Sequence, residues 1–351
     1  MNLQVDKSLE FSRLSNAIKV PMIILVIFVH ENLNLERDGY LGLLLAAMAN
    51  VSVPVFFLIS GYYFFKGEEL GKDVYLSKLK KRIRTLLLPY LLWNLLPMLN
   101  IVAGNFYSII FRGKSTEDLQ SYFFDLWDKG VYSVWWNITS GTMPYDSPLW
   151  YMRDLMVMCV GSPVLYFIIR KIGRWGIVVL VLLYVLGVNT SVTGLSMSAI
   201  TFFTVGGYFS LNASRVLSPD VWAKKNKFIV LPLSLLSISI YVIGGGKSSW
   251  NVFQMLYILS GVFSFYYLLG RLPKRMIERM SGMASSVFFI YALHNTCVLA
   301  WCSGLVYQFP LPHEMKIIVI PFLTFVVCHF LYLIMKKFCP SILAVLCGGR
   351  A

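Results

Sequence analysis

Long apolar stretches, separated by polar segments, recur along the whole chain. Ten of them approach the roughly 20 residues that a helix needs to cross a bilayer. They lie at 14–35, 41–65, 84–105, 149–169, 175–190, 195–212, 227–244, 252–270, 284–304 and 315–335, and the fifth and sixth are short. The pattern predicts an all-α membrane protein of about ten transmembrane helices, in which residues 1–351 form a single integral-membrane domain.

The amino-acid composition is that of a membrane protein. The chain is 57% hydrophobic and only 14% charged, whereas about 25% of the residues of a soluble globular protein are charged. Residues 1–10 are polar and carry no signal-peptide pattern. The first apolar stretch is therefore expected to stay in the protein as a membrane anchor.

The net charge of +14 would suit a nucleic-acid partner, but the distribution of the charges argues against one. Counted over the predicted spans, 23 of the 31 lysines and arginines lie at the termini and in alternate loops, with only seven of the 17 acidic residues. Basic residues concentrate in cytoplasmic loops. We therefore predict cytoplasmic N and C termini, a location in the cell (inner) membrane, and no nucleic-acid partner.

The longest predicted outer loop, residues 105–148, contains Trp127, Trp135 and Trp136. A loop of this length is usually functional or disordered, and its aromatic content argues against disorder. Two interpretations stay open. The tryptophans could form an interfacial aromatic belt, or the loop could be a re-entrant or lid segment that stacks on a sugar ring.

Two ionisable side chains, Lys19 and His30, interrupt the first apolar stretch. An ionisable residue inside a membrane span is costly and marks a functional candidate. Eleven positions separate the two residues, so on a helix they share one face and stand about 16 Å apart along the axis. Pro21 cannot donate to the carbonyl of Ala17, which predicts a kink or local unwinding in the cytoplasmic third of this helix.

Each charged or titratable candidate has a functional and a structural interpretation. A neutral imidazole is a natural general base for an alcohol, and His30 is favoured for that role over a histidine bonded to a neighbouring backbone. Lys19 either contacts an anion or snorkels to the membrane interface. The basic cluster that opens the third span, with Lys81 and Arg84, either binds phosphate or only sets the topology. Glu31 points about 100° away from His30 and is not expected to orient its ring.

Neither a metal site nor a disulfide framework is predicted. The other histidines of the spans, His294 and His329, have no acidic cluster nearby, so metal ligation has little support. The six cysteines include no CxxC pair and are interpreted as small buried hydrophobic residues. No bound cofactor is expected.

Five motifs, in order along the spans, resemble those of the acyltransferase 3 family of membrane acyltransferases. That family has R/K-x10-H in its first helix, FF-x-x-SG in its second, R-x-x-R at the entry to its third, LWFL in its fourth and S-hh-IY-hh-H in its ninth. In this sequence the matching positions are Lys19 and His30; Phe56, Phe57, Ser60 and Gly61; Lys81 and Arg84; Leu149 and Trp150; and the segment SSVFFIYALH that ends at His294. The resemblance covers essentially the full chain.

The sequence departs from the family pattern in several places. Asn16 stands where many members have an acidic residue, Lys19 replaces the commoner arginine, and Pro21 follows where small or aliphatic residues are usual. The acidic residue that some subfamilies carry after the fourth-helix tryptophan has no clear counterpart; Arg153 and Asp154 follow here instead. This last departure concerns the acceptor chemistry more than the donor.

The resemblance implies an acyl-coenzyme A-dependent O-acyltransferase. Such an enzyme moves an acyl group, most often acetyl, from cytoplasmic acyl-coenzyme A, a co-substrate, to a hydroxyl of an envelope carbohydrate or lipid-linked acceptor at the outer face of the bilayer. The implied catalytic residue is His30, and the implied substrate-binding residues are Lys19, Lys81, Arg84, Ser60, Trp150 and His294. No serine or cysteine with a nucleophile motif stands out, which favours direct transfer over an acyl-enzyme intermediate.

Two other classes of protein stay open. A carrier or flippase for a lipid-linked sugar or an anionic solute would also use kinked helices and intramembrane polar residues. Carriers often have paired half-sequences, and this chain has no second Lys–His helix in its other half. An assembly subunit without chemistry would leave the five ordered motifs unexplained.

Overall fold

A computed structural model describes residues 2–34, 40–67, 69–113, 144, 146–190, 192–213 and 217–350. This part of the chain is helical and contains no strand. Its α-helices are α1 (Asn2–Ala17), α2 (Lys19–Asn34), α3 (Tyr40–Ala49), α4 (Ser52–Phe65), α5 (Lys72–Arg82), α6 (Leu88–Arg112), α7 (Trp150–Val160), α8 (Ser162–Phe167), α9 (Arg174–Val185), α10 (Met197–Leu211), α11 (Pro219–Lys225), α12 (Lys227–Ile243), α13 (Asn251–Leu269), α14 (Lys274–Gly282), α15 (Val287–Leu293), α16 (Leu299–Tyr307), α17 (His313–Phe338) and α18 (Pro340–Leu346).

Helical segments coincide with all ten predicted spans, but the number that are long and apolar enough to cross a bilayer is smaller. Among the described residues there are five such segments: Leu9–Glu31, Tyr40–Phe65, Ser248–Leu269, Val287–Tyr307 and His313–Phe338. Two bent pairs raise the number to seven: Ser147–Val160 with Ser162–Ile172, bent by 63°, and Pro219–Lys225 with Lys227–Ile243, bent by 87°. The fifth and sixth predicted spans are the shorter apolar helices α9 and α10. An all-helical membrane protein is thus confirmed, whereas the count of ten spans stays a prediction.

The third predicted span extends further than the sequence pattern indicated. Helix α6 runs to Arg112, so the first residues of the predicted outer loop are helical. Gly113 follows in the left-handed region at φ 68°, a conformation that glycine adopts without strain and that commonly ends a helix. The loop's tryptophans, Trp127, Trp135 and Trp136, lie outside the described residues. The aromatic belt and the lid therefore both stay predictions.

The first span is locally interrupted, as Pro21 predicts. Helix α1 ends at Ala17 and α2 begins at Lys19, with Ile18 in a turn between them. Proline has no N–H to donate to the carbonyl four residues earlier. Backbone hydrogen bonds continue on either side of it: the N–H of Ile18 donates to the oxygen of Leu14 at 2.9 Å, and the N–H of Met22 donates to the oxygen of Ile18 at 3.2 Å. The two helices still form one membrane-length segment.

Helices α4 and α10 pack unusually close, through two glycines. A Cβ on Gly61 would overlap the backbone oxygen of Phe203, and a Cβ on Gly206 would overlap the backbone oxygen of Leu58. Between membrane helices, small residues let backbones approach and gain van der Waals contact. The glycine of the FF-x-x-SG motif is therefore a packing residue. The residue before it, Ser60, lines a cavity beside Lys19.

Candidate active site

A cavity of about 230 Å³ opens beside Lys19. Its walls come from α2, α4, α5, α7, α10, α15 and the segment after α18. Three cations line it, Lys19, Arg82 and Arg350, and no acidic side chain of the described residues does. An anionic group would therefore be attracted to this cavity, which we call the cationic cavity.

Lys19 is half-buried in this cavity. Its Nζ donates to Oδ1 of Asn16 at 2.8 Å, one turn earlier. Because an amide carries no charge, this bond orients the ammonium group without neutralising it. An acidic residue at position 16 would instead form an ion pair with Lys19.

The basic cluster contributes a different residue to the cavity than the motif indicated. Lys81 and Arg84 are exposed and line neither this cavity nor the cavity that contains His30. Arg82, between them, lines the cationic cavity and lies over the ring of Phe64 at 5.7 Å. The next turn, Ile83–Leu87, is a π-helix, so side-chain directions in this region differ from those of a regular α-helix. The phosphate contacts that the motif implies for Lys81 and Arg84 are untested, and the cavity lining favours Arg82 for that contact.

Arg350 reaches the cationic cavity from the other end of the chain. Its guanidinium donates to the backbone oxygen of Thr85 at 2.9 Å and lies over the Phe288 ring at 4.8 Å. Gly348, at φ 60°, brings the chain so near Thr85 that a Cβ would approach its carbonyl oxygen to 2.6 Å. No sequence motif identifies Arg350 as a cavity residue, because its position depends on how residues 340–350 pack against a part of the chain that is distant in sequence.

A second cavity, of about 510 Å³, contains His30 and Trp150. We call it the histidine cavity. Its polar lining comes from amides, hydroxyls and an imidazole and includes no acidic or basic side chain of the described residues other than His30: Asn50, Ser52, Ser147, Tyr184, Asn189, Ser196, Ser198, Gln254 and Tyr291. Such groups bind hydroxyl-rich ligands by hydrogen bonds, and Trp150 adds an apolar face.

The resemblance also assigned His294, which lies directly beside His30. Their ring centres are 5.1 Å apart, with the planes inclined at 60°. His294 is fully buried and lines neither cavity. Glu31 is engaged elsewhere, as expected, because its Oε2 accepts from Ser303 Oγ at 2.9 Å.

Tyr291 separates the two cavities. Among their lining residues it alone lines both. Its hydroxyl donates to the carbonyl oxygen of Pro148, and its ring makes an edge contact with Tyr151 at 6.0 Å. On the cationic side, Ser60 Oγ and the Tyr151 hydroxyl are hydrogen-bonded at 2.9 Å. Ser60 and Trp150 thus lie on opposite sides of this partition.

Asp146 is a buried carboxyl group just before α7. Its backbone N–H donates to Asn94 Oδ1 at 3.1 Å, but neither carboxylate oxygen has a hydrogen-bond partner among the described residues. Burial raises the pKa of the Asp146 carboxyl well above its ordinary value. The side chain is therefore held in a place that favours its neutral form.

In the part of the chain that the structure describes, no group of three or more histidine, cysteine or acidic residues is placed to hold a metal ion. His329 is hydrogen-bonded instead, through Nδ1 to Ser286 Oγ at 3.0 Å. The six cysteines are all free thiols. Four are buried, as interpreted from the sequence, but Cys297 is half-buried and Cys339 is exposed.

Comparison with known proteins agrees with the motif reading. Residues 15–336 match the acyltransferase domain of the acyltransferase 3 family. The chain is also similar to the succinoglycan biosynthesis protein ExoH of Rhizobium meliloti (strain 1021), with 23% identity over 360 residues that cover 95% of this chain and 91% of that protein. No solved structure matches. The family match spans most of the chain, and Lys19 and His30 stand at the spacing of the R/K-x10-H motif. This chain belongs to the acyltransferase 3 family of membrane acyltransferases.

Proposed function

We propose that the protein transfers an acyl group from acyl-coenzyme A to a hydroxyl of a carbohydrate acceptor. The observation that carries the proposal is the pair of cavities on either side of Tyr291, one lined by three cations and the other containing His30. Phosphates bind to lysine and arginine clusters, whereas a general base must lie within reach of the proton that it removes. The two cavities therefore suit the two substrates of one transfer reaction.

The donor occupies the cationic cavity. With a volume of about 230 Å³, this cavity suits the narrow pantetheine arm better than a whole nucleotide. The phosphates then lie near Lys19, Arg82 and Arg350. Guanidinium groups bind phosphate oxygens through several N–H donors, and an ammonium group adds a compact positive charge. The helical rise puts His30 about 16 Å from Lys19 along the axis, a length comparable with that of the pantetheine arm.

The acceptor occupies the larger histidine cavity. A sugar presents hydroxyls around its edge and C–H groups on its faces, and this cavity offers amides and hydroxyls together with the Trp150 ring. The similar protein from Rhizobium meliloti is described as a succinoglycan biosynthesis protein, which supports a carbohydrate as the acceptor class. The acyl group most common in the family, acetyl, is the first to test.

In the transfer step, His30 removes the proton of the acceptor hydroxyl as its oxygen attacks the thioester carbonyl carbon. Collapse of the tetrahedral intermediate breaks the C–S bond, and the departing sulfur takes the proton back from His30. The products are the ester and free coenzyme A. Ser60 is hydrogen-bonded to the Tyr151 hydroxyl and has no imidazole or carboxylate bonded to it among the described residues, which favours direct transfer over a seryl intermediate.

The topology of the proposal follows from the charge pattern. Ten spans with basic loops and both termini in the cytoplasm make the cationic cavity accessible to cytoplasmic acyl-coenzyme A and the histidine cavity accessible from the outer face. In a Cys339→Ser background, engineered cysteines at Ser77 and Gln308, both exposed, should label differently in intact cells. An impermeant reagent should reach position 308 and miss position 77; labelling at position 77 would overturn this orientation.

The function is tested with purified protein in sealed vesicles, given radiolabelled acetyl-coenzyme A on one side and oligosaccharide on the other. Ester formation on the oligosaccharide, dependent on the protein, is the expected result. Movement of an intact lipid-linked sugar or anionic solute without ester formation would instead support a carrier. Thiol release with no labelled acceptor would exclude the tested oligosaccharide as the acceptor but would still support acetyl-coenzyme A as the donor.

A further inference from the structure

His294 sits next to the proposed base but has no place in the mechanism above. It follows α15 directly, as the first residue of a π-helical turn, His294–Val298. Such wide turns occur often at functional sites because they redirect side chains. The imidazole is fully buried, so each of its two nitrogens needs a hydrogen-bond partner.

One nitrogen of His294 has partners that fix its protonation. Nδ1 lies 2.7 Å from the backbone oxygen of Tyr291 and 3.2 Å from that of Ile290. A carbonyl oxygen only accepts, so the ring hydrogen resides on Nδ1. Nε2 must then carry the lone pair, and it can serve only as an acceptor.

The other nitrogen has no partner among the described residues. Nε2 of His294 is buried without a hydrogen bond, which is costly for a polar atom. The nearest ring able to donate to it is His30, 5.1 Å away between centres. No hydrogen bond joins the rings in this structure, and the described residues give His30 no other partner. A distance of 5.1 Å between ring centres is compatible with a hydrogen bond between two facing ring nitrogens, so a rotated His30 ring can donate to Nε2.

We propose that His294 is a positioning residue that accepts a hydrogen bond from His30 and so fixes the tautomer of the base. With one ring nitrogen of His30 donating to His294 Nε2, its other nitrogen is left unprotonated and faces the histidine cavity. The same bond stabilises the imidazolium that forms when His30 takes the acceptor proton. This inference rests on the proposed function and assigns His294 no contact with either substrate.

The chain is suited to a direct spectroscopic test because it has only four histidines. In protein labelled with ¹⁵N-histidine, the ring nitrogens of His30 should report one dominant tautomer at neutral pH. His294→Leu should convert this signal to a mixture of both tautomers. His313→Gln, at an exposed position, serves to assign the spectrum and as the matched control that leaves the His30 signal unchanged.

Kinetics separate positioning from structure. His294→Leu should lower kcat by at least about 10-fold, the lower end of the effect of removing a partner that orients a functional histidine, and leave acyl-coenzyme A affinity within twofold. His294→Gln can place its side-chain oxygen at the Nε2 position and should recover most of kcat. A His294→Leu protein with wild-type kcat and an unchanged His30 tautomer would overturn the inference. If His30→Ala nevertheless loses transfer, the proposed function still stands without it. Activity that survives in His30→Ala would instead overturn the function itself.

Discussion

The hydroxyl of Tyr291 donates to the carbonyl oxygen of Pro148, and this bond holds the tyrosine ring where the two cavities meet. In the proposed mechanism, a donor that enters through the cationic cavity passes this ring to reach His30. We therefore expect the same bond to keep water of the histidine cavity away from the thioester.

We expect Tyr291→Ala to uncouple the reaction by removing the partition. Water admitted to the thioester should raise release of coenzyme A in the absence of acceptor, and transfer to acceptor should fall because the reactants are less well aligned. Tyr291→Phe keeps the ring and should show a smaller rise. Thiol release measured with and without acceptor checks this. Ile59→Ala, at a residue that lines the cationic cavity and not the histidine cavity, is the control; equal thiol release in the alanine variants at 59 and 291 would contradict the partition.

Arg82 and Lys81 are adjacent in sequence but differ in exposure, which makes them a matched pair. Arg82 lines the cationic cavity, whereas Lys81 is exposed. Loss of a hydrogen bond to a charged group costs about 1.5–3 kcal/mol, so Arg82→Ala should weaken acetyl-coenzyme A binding by at least about 10-fold. Lys81→Ala should have less than a twofold effect.

Calorimetry in detergent measures both affinities, and a truncated donor isolates the phosphate contribution. Acetyl-pantetheine lacks the phosphates, so Arg82→Ala should leave its binding unchanged. If Lys81→Ala weakens the full donor and Arg82→Ala does not, the motif spacing identifies the phosphate contacts better than the cavity lining does.

The close contact of α4 and α10 predicts a strong effect from a single methyl group. Gly61→Ala places a Cβ against the backbone oxygen of Phe203, and overpacking of this kind typically costs about 1–3 kcal/mol. Gly304→Ala, in α16 with nothing within 4 Å of the added Cβ, is the control and should be neutral or slightly stabilising. Thermal unfolding in detergent should show a lower midpoint only for Gly61→Ala. A similar midpoint for both variants would contradict the packing role.

The sequence predicted the helical class and the positions of the helices well, because apolar length is a local property of the chain. It also predicted the break near Pro21, which follows from one missing N–H. It did not reveal that Arg82, and not Lys81 or Arg84, lines a cavity, because tertiary packing decides which face of the helix meets the cavity. Arg350 was beyond sequence reasoning altogether: it approaches Lys19 only through the docking of residues distant in the chain.

Residue pairs across helices were likewise hidden from the sequence. His30 and His294 were both recognised as intramembrane histidines, but no spacing rule relates residues so far apart in sequence. The partition formed by Tyr291 depends on an acceptor at Pro148, at the entry to another helix. Such contacts are set by tertiary packing, and only the structure supplies them.

Asp146 predicts a pH effect on stability. Its folded-state pKa is raised by burial, so the folded protein holds this proton more tightly than the unfolded chain does. The resulting stabilisation is complete below the ordinary aspartate pKa and is lost as the pH rises through the raised value. Unfolding midpoints measured from pH 4 to pH 8 should therefore decline less in Asp146→Asn than in the wild type. Asp73→Asn, at an exposed site, is the control, and parallel curves for all three proteins would contradict the burial of an unpaired carboxyl.

His30 as the general base is the central claim, and the most direct measurement of it compares transfer rate with donor affinity in purified His30→Ala protein. We expect acyl transfer to fall by about 10²- to 10⁴-fold, the range for a positioned acid–base group, with acyl-coenzyme A affinity kept within twofold. Lys19→Ala should do the reverse and chiefly weaken the donor, while Lys19→Arg keeps the charge and should bind normally. A His30→Ala protein that folds, binds the donor and acylates its acceptor at a rate near that of the wild type would contradict the account.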